Sequence, residues 1–135
     1  MARVVLVAVL AAVAAGSAHA ATRPTCGSYS VGPGTHRAGS AHGATCLLTQ
    51  FKRCRSASYT LSVFGVDTIA TDAFSVANAD GHCFVSVQMT NRVVPQQPRP
   101  LGTALCSALV AKGTDVVAVN CTGAPAKTIS LTGRR

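Results

Sequence analysis

The chain has 135 residues, of which 12 are Lys or Arg and 4 are acidic, so its formal net charge is +8 at pH 7. This length fits one domain of ordinary size. Aromatic residues make up 4% of the chain and Trp is absent, so the core must rest on aliphatic side chains and gains from covalent cross-links. All the acidic residues are Asp, which argues against a hydrolase with paired carboxylates. No alternation of aromatic and basic residues signals a specific nucleic-acid interface.

The first twenty residues, MARVVLVAVLAAVAAGSAHA, predict a signal peptide. Arg3 supplies the cationic start, an apolar run extends from Val4 to Ala15, and Ala18-His19-Ala20 fits the small-x-small cleavage pattern. Because this run is shorter than the about 20 residues that span a bilayer, a retained membrane anchor is the weaker alternative. We therefore expect a secreted, extracytoplasmic domain over residues 21–135, with no membrane span after cleavage.

Residues 21–40 are rich in Gly, Pro and small polar residues and predict a loop. A helix is predicted over 41–54, with Ser40 as its cap. Its apolar residues recur at helical spacing: Ala44, Leu47, Leu48 and Phe51. Lys52, Arg53 and Arg55 gather at its far end, where cations complement the helix dipole. These three residues form the candidate basic patch.

Three strands with alternating apolar residues are predicted over 58–90, joined by GVDT and NADG turns. The Pro-rich segment 91–102 is predicted to be an extended crossing, because proline does not fit an inner strand. A second hairpin and a last strand are predicted over 103–131. The whole pattern predicts an α+β fold, in which one helix packs on a twisted antiparallel sheet of about five strands.

The chain has an even number of cysteines, which in an exported protein predicts a disulfide framework. The six are Cys26, Cys46, Cys54, Cys83, Cys106 and Cys121. Zinc is the rival interpretation, but the chain has no CxxC motif and no finger-like spacing with His. On a helix, Cys46 and Cys54 lie roughly 12 Å apart along the axis, whereas a disulfide needs Cα atoms within about 7 Å. Each must therefore bond a different partner.

The turns suggest which cysteines meet. Centring the last hairpin on its Gly-Thr pair sets Cys106 opposite Cys121. Centring the meander on NADG and GVDT places Cys83 opposite Val76 and level with Ala57, just after the helix, which favours a Cys54–Cys83 bond. Cys26 and Cys46 then remain, and joining them would clamp the N-terminal loop onto the helix. We predict these three disulfides.

The helix with Cys46 and Cys54, the following strand, the GVDT turn and Cys83 resemble a group of small secreted proteins of high-GC bacteria. The resemblance covers roughly residues 44–90. It implies an exported, disulfide-bonded bacterial module, and it implies no activity.

A catalytic centre is not evident. A ribonuclease of the two-histidine type would need two of His36, His42 and His82 with Lys52 or Lys112 around one phosphate. Three of the four Asp residues fall in predicted turns, where Asp usually bonds its own backbone. No GxSxG, HExxH or phosphate-binding glycine loop is present. The sequence predicts no catalytic residue, no metal site and no cofactor.

These features favour a secreted, disulfide-stabilised binding or structural module of unknown ligand. Its excess of basic over acidic residues would suit binding to an anionic polymer or an anionic cell surface. Two alternatives stay open: a small basic hydrolase similar to a ribonuclease, and a protease inhibitor that presents the loop 92–102. Enzymatic activity is therefore left open, with a non-enzymatic role favoured.

Overall fold

The computed structural model describes residues 23–133; the predicted signal peptide lies outside them. They form one helix and eight strands: β1 (Thr25–Val31), β2 (Arg37–Gly39), α1 (His42–Lys52), β3 (Ala57–Phe64), β4 (Thr68–Ala79), β5 (His82–Val93), β6 (Arg99–Lys112), β7 (Asp115–Thr122) and β8 (Thr128–Ser130). The strands make one sheet in the order β2-β1-β3-β4-β5-β6-β7-β8. The α+β class and the stapled helix-on-sheet arrangement are confirmed, but the predicted number of about five strands is wrong.

The prediction of a loop over 21–40 is also wrong, because this segment contains β1 and β2. β1 runs parallel to β3, with Tyr29 opposite Leu61, so the sheet is mixed rather than antiparallel. β2 then folds back on β1, with Tyr29 opposite Gly39. The partner of β1 lies about thirty positions further along the chain. Its local composition of Gly, Ser and Thr therefore gives little sign of the pairing.

The predicted meander of three strands is confirmed. Ala57 lies opposite Val76, as the GVDT turn indicated. The NADG turn is tighter than expected: Ala79 pairs with His82, so Cys83 lies opposite Asn78 rather than Val76. The register is thus two residues away from the predicted one. Because side chains alternate with a period of two, this shift leaves the predicted inward face unchanged.

Residues 91–102 are not a crossing. β5 continues to Val93, β6 begins at Arg99, and the two strands pair as an antiparallel hairpin. The turn between them contains a cis Val94–Pro95 peptide bond. Pro100 lies within β6 opposite Thr90, next to an irregularity in the register. Proline is tolerated there because β7 pairs with β6 only from Leu105 onward, so this half of β6 has a neighbouring strand on one side alone.

The last part of the sheet follows the prediction closely. β6 and β7 form a hairpin in which Lys112 pairs with Asp115 and Cys106 lies opposite Cys121. β8 pairs with β7 over three residues. This is the short last strand that the sequence indicated.

The helix lies on the concave side of the sheet and contacts β1 and all strands from β3 to β7. Its predicted apolar residues Ala44, Leu47 and Leu48 are buried, and Phe51 packs against the core. Gly43 is buried as well. A Cβ at this position would lie 2.6 Å from the Tyr59 ring and 2.5 Å from the Cys26 carbonyl oxygen, so there is no space for a side chain. A glycine at this position therefore lets α1 approach β1 and β3 closely.

The curled sheet brings its two ends together. The Tyr59 hydroxyl of β3 donates a 3.0 Å hydrogen bond to the carbonyl of Leu131, just beyond β8. A Cβ on Gly133 would lie 2.7 Å from Cγ2 of Val31 in β1. We call the line along which the segment 131–133 meets β1 and β3 the seam.

The three predicted disulfides are those of the structure. Cys26–Cys46 joins β1 to α1, Cys54–Cys83 joins the end of α1 to β5, and Cys106–Cys121 joins β6 to β7. A framework of three disulfides is typical of small extracellular proteins. Within residues 23–133, no helix has both the length and the apolar character that crossing a membrane requires.

Candidate functional site

The backbone that carries the basic patch is fixed by the way α1 ends. The Cys54 amide donates to the Phe51 carbonyl over 2.9 Å, and the Arg55 amide donates to the Gln50 carbonyl over 2.9 Å. Cys54 has a φ of 52°, in the left-handed region. This is the Schellman arrangement, in which glycine is the usual left-handed residue. Here a cysteine occupies this position, and its disulfide bond to Cys83 links the end of α1 to β5.

The three residues of the basic patch are exposed and close in sequence. Lys52 is the last residue of α1, and Arg53 and Arg55 flank the half-buried Cys54. Cations at this end of a helix also complement the partial negative charge of its free carbonyls. The patch therefore presents three cationic side chains from a backbone held by two hydrogen bonds and one disulfide.

A histidine side chain also lies beside the patch. His82 is exposed and immediately precedes Cys83, so the disulfide brings it next to the end of α1. Asp80, in the turn just before it, is exposed too and contributes one opposing charge. The sequence-based prediction of the patch did not include His82.

The outer face of the central strands carries many hydroxyl groups and few charges, with Arg92 lying on it near the end of β5. Its side chains alternate with the buried ones along β3, β4 and β5: Ser58, Thr60, Ser62, Thr71, Ser75, Ser86 and Thr90. Two of them, Ser62 and Thr71, share a hydrogen bond of 3.3 Å across the sheet. An anionic partner would therefore meet more cationic side chains at the end of α1 than on this face.

The histidines considered for a two-histidine nuclease do not converge. His42 is the first residue of α1, whereas His82 lies beside the disulfide at the other end of that helix. Eleven helical residues separate these ends by about 15 Å. His36 lies in the turn before β2, where its ring is 4.7 Å from that of Phe64.

The four acidic residues lie on separate parts of the fold, with Asp72 inside β4. Asp67 and Asp80 lie in turns, and Asp115 accepts hydrogen bonds from the hydroxyls of Ser130 (2.7 Å) and Thr132 (2.6 Å). Over the described part of the chain, no three His, Cys, Asp or Glu side chains are grouped so that they could hold a metal ion.

The predicted inhibitor loop 92–102 is the tip of the β5–β6 hairpin. Three large apolar side chains are exposed there: Val93 by 42%, Val94 by 49% and Leu101 by 65%. The segment is therefore accessible, as an inhibitor loop must be. Its residues on either side of the turn belong to paired strands rather than to an extended loop.

A polar cluster at the seam could not be found from the sequence. It consists of Tyr59, Asp115, Ser130 and Thr132, which come from β3, β7, β8 and the segment after β8. Burial raises the pKa of the Tyr59 hydroxyl to about 12, with smaller contributions from Tyr29 and the Asp115 carboxylate. The only hint in the sequence is the run of hydroxyl residues near the C-terminus, and it becomes informative only once the curl of the sheet is known.

Comparisons with protein-family models, with curated proteins and with solved structures found no significant match for this chain. The resemblance to small secreted proteins of high-GC bacteria therefore stays a prediction.

Proposed function

We propose that this protein is an extracellular, non-enzymatic binding module that attaches to anionic polymers or anionic cell surfaces through the basic patch. The observation that carries the proposal is the placement of Lys52, Arg53 and Arg55 as exposed cations on the disulfide-fixed end of α1. Side chains that start from a fixed backbone lose less conformational freedom when they bind than those of a mobile tail.

The charge of the whole chain supports the same partner class. Twelve basic residues oppose four acidic ones, and removal of the predicted signal peptide would take away only Arg3. A protein with this balance is attracted to negative surfaces over about one Debye length, roughly 8 Å at physiological ionic strength. Long-range attraction would bring the protein to such a surface, and the patch would supply the close contacts.

The test is retention of the purified, disulfide-bonded protein on immobilised polygalacturonate, with elution by a salt gradient. The variant K52Q/R53Q/R55Q should elute at clearly lower salt than the wild type. The variant R92Q/R99Q/K112Q loses the same three charges elsewhere and serves as the matched control. Equal elution of the two variants would assign binding to net charge alone and would remove the patch from the proposal.

A second result would contradict the anionic partner itself. In low salt, an excess of soluble polygalacturonate should displace the protein from the column. Retention that is unchanged by saturating soluble polymer would show that the attachment is not to the anionic groups.

A protein partner at the hairpin tip is the second candidate function, favoured by the exposure of Val93, Val94 and Leu101. A protease inhibitor of this kind would resist or stall cleavage at 92–102 when incubated with a panel of secreted proteases, whereas a plain turn would be cut. A ribonuclease has less support, because His42 and His82 lie at opposite ends of α1. Turnover of RNA that disappears in His82→Ala would restore it.

A further inference from the structure

A pocket of about 260 Å³ opens at the seam, away from the basic patch. Its lining comes from both ends of the sheet and includes Tyr29, Gly34, Arg37, Thr114, Thr132 and Gly133. Arg37 lies in β2, Thr114 in the turn between β6 and β7, and Thr132 after β8. The pocket therefore exists only because the curled sheet brings these segments together.

We propose that this seam pocket binds a small hydroxylated monocarboxylate of about the size of one sugar residue, such as a uronic acid. The proposal does not depend on the basic patch. It follows from the charge of the pocket, from the hydrogen-bonding state of one hydroxyl group and from the volume.

The charges at the pocket favour a ligand with a single negative charge. Arg37 is the charged residue that lines the pocket, and its guanidinium can hold a carboxylate with two parallel hydrogen bonds. The Asp115 carboxylate lies just behind Thr132, which donates a hydrogen bond to it. A second negative charge on the ligand would therefore face an existing one with no additional cation on the pocket wall. A carboxylate fits this balance better than a phosphate group, which carries a charge of about −1.5 to −2 at pH 7.

The hydroxyl of Thr132 favours a ligand that has a hydrogen-bond donor. This hydroxyl donates a hydrogen bond to Oδ1 of Asp115 over 2.6 Å, while the hydroxyl of Ser130 donates to Oδ2 over 2.7 Å. The backbone amide of Thr132 is also engaged, because it donates to Oγ of Ser130 over 3.2 Å. Oγ1 of Thr132 can therefore offer only its lone pairs to a ligand. A ligand that matches both this oxygen and Arg37 carries a hydrogen-bond donor, such as a hydroxyl group, as well as a carboxylate.

The volume limits the size of the ligand. About 260 Å³ is slightly below the range of roughly 300–1,000 Å³ that is usual for drug-sized ligands. Gly34 and Gly133 leave part of the wall without side chains. One sugar-sized unit fits such a space, either as a free sugar acid or as one residue of an acidic polysaccharide. A ligand this small should bind with a dissociation constant on the order of 1 mM.

The experiment is an NMR titration of the ¹⁵N-labelled, disulfide-bonded protein with sodium glucuronate. The amides of Gly34, Arg37, Thr132 and Gly133 should shift together and saturate. Glucose, which has the same ring but no carboxylate, should bind at least tenfold more weakly, as should inorganic phosphate. Glucose or phosphate binding as tightly as glucuronate would overturn the proposal, and so would the absence of shifts at these amides.

Variants separate this site from the basic patch. Arg37 is exposed on an edge strand, so Arg37→Gln should leave the fold intact. It should weaken glucuronate binding at least tenfold, and Arg37→Lys should restore part of the affinity. Arg99→Gln removes the same charge at the start of β6, outside both the seam pocket and the basic patch, and should leave glucuronate affinity unchanged. An equal loss of affinity in Arg99→Gln would show general electrostatic attraction instead of a pocket and would overturn the proposal.

The same titration distinguishes the two sources of the ligand. Shifts at these amides with both glucuronate and short oligogalacturonates indicate a residue of a polymer, whereas shifts with the monomer alone indicate a free sugar acid. Glucuronate binding should persist in K52Q/R53Q/R55Q, and retention on polygalacturonate should persist in Arg37→Gln if the patch mediates it. Failure of one proposal is therefore visible independently of the other.

Discussion

The hydroxyl of Tyr59 donates a hydrogen bond to the carbonyl oxygen of Leu131, a residue 72 positions further along the chain. Both residues are almost fully buried, with 1% of Tyr59 and 0% of Leu131 exposed. The bond joins the start of the meander to the segment after the last strand, and so holds the two ends of the sheet together at the seam. Its strength should therefore be measurable as global stability.

The first prediction concerns this bond. Tyr59→Phe leaves the buried Leu131 carbonyl without its partner, which should lower the free energy of unfolding by about 1–3 kcal/mol. Urea denaturation followed by circular dichroism measures the change. Thr122→Val is the control, because its hydroxyl makes an exposed hydrogen bond to Leu105 and its loss should cost well under about 1 kcal/mol. Equal stability of Tyr59→Phe and wild type would contradict the role of the bond at the seam.

The second prediction is a pH dependence. Burial raises the pKa of Tyr59 to about 12, above its ordinary value of 10.0. Folding therefore favours the protonated hydroxyl, and this contribution to stability is fully present below about pH 10 and is lost as pH rises toward 12. Because Trp is absent and only two Tyr are present, phenolate absorbance in a Tyr29→Phe background reports Tyr59 alone. A midpoint near pH 10 in the folded protein would show that the hydroxyl is not buried.

The third prediction concerns Gly43 in the first turn of α1. Helix propensity alone would make Gly43→Ala stabilising by about 1 kcal/mol. The added Cβ would instead lie 2.6 Å from the Tyr59 ring and 2.5 Å from the Cys26 carbonyl, so we expect a net loss of about 1–3 kcal/mol. Thr45→Ala, at an exposed position of the same helix, should be neutral or slightly stabilising. A stabilised Gly43→Ala would mean that α1 can move away from β3 without cost.

The fourth prediction separates the disulfide Cys54–Cys83 from the backbone conformation that it carries. The variant C54A/C83A should lose about 2–4 kcal/mol because the cross-link no longer restricts the unfolded chain. The variant C54G/C83A loses the same cross-link but places glycine at the left-handed position, where φ is 52°. It should be more stable than C54A/C83A by about 1 kcal/mol. Equal stability of the two variants would indicate that the end of α1 relaxes once the disulfide is gone.

The sequence predicted the parts of the fold that depend on neighbouring segments. In the meander and the last hairpin, each strand pairs with the next one along the chain, so the turn residues fix the register to within two positions. The apolar alternation then assigns the inward face, and Phe74 and Val85 are buried as expected. The disulfide between Cys54 and Cys83 followed from the same local information.

The missed features depend on distant segments or on a special position within a strand. β1 pairs with β3 across the whole of α1, and nothing in its own composition indicates a parallel partner. Pro100 argued against a strand, but it lies where β6 has no second neighbour and the argument does not apply. The basic patch was predicted because its residues are adjacent in sequence. The seam pocket was not, since Arg37 and Thr132 come from opposite ends of the chain.

The free edges of the sheet have a consequence for how this protein can meet others. The outermost strands of the described sheet, β2 and β8, are three residues long each. The open half of β6 is interrupted by Pro100, which has no amide to donate, and by the irregularity beside it. Short or interrupted edges of this kind discourage the addition of a foreign strand and the edge-to-edge aggregation that follows from it. A protein built in this way can accumulate at high local concentration without polymerising, and its edges favour recognition of partners through side chains over extension of the sheet.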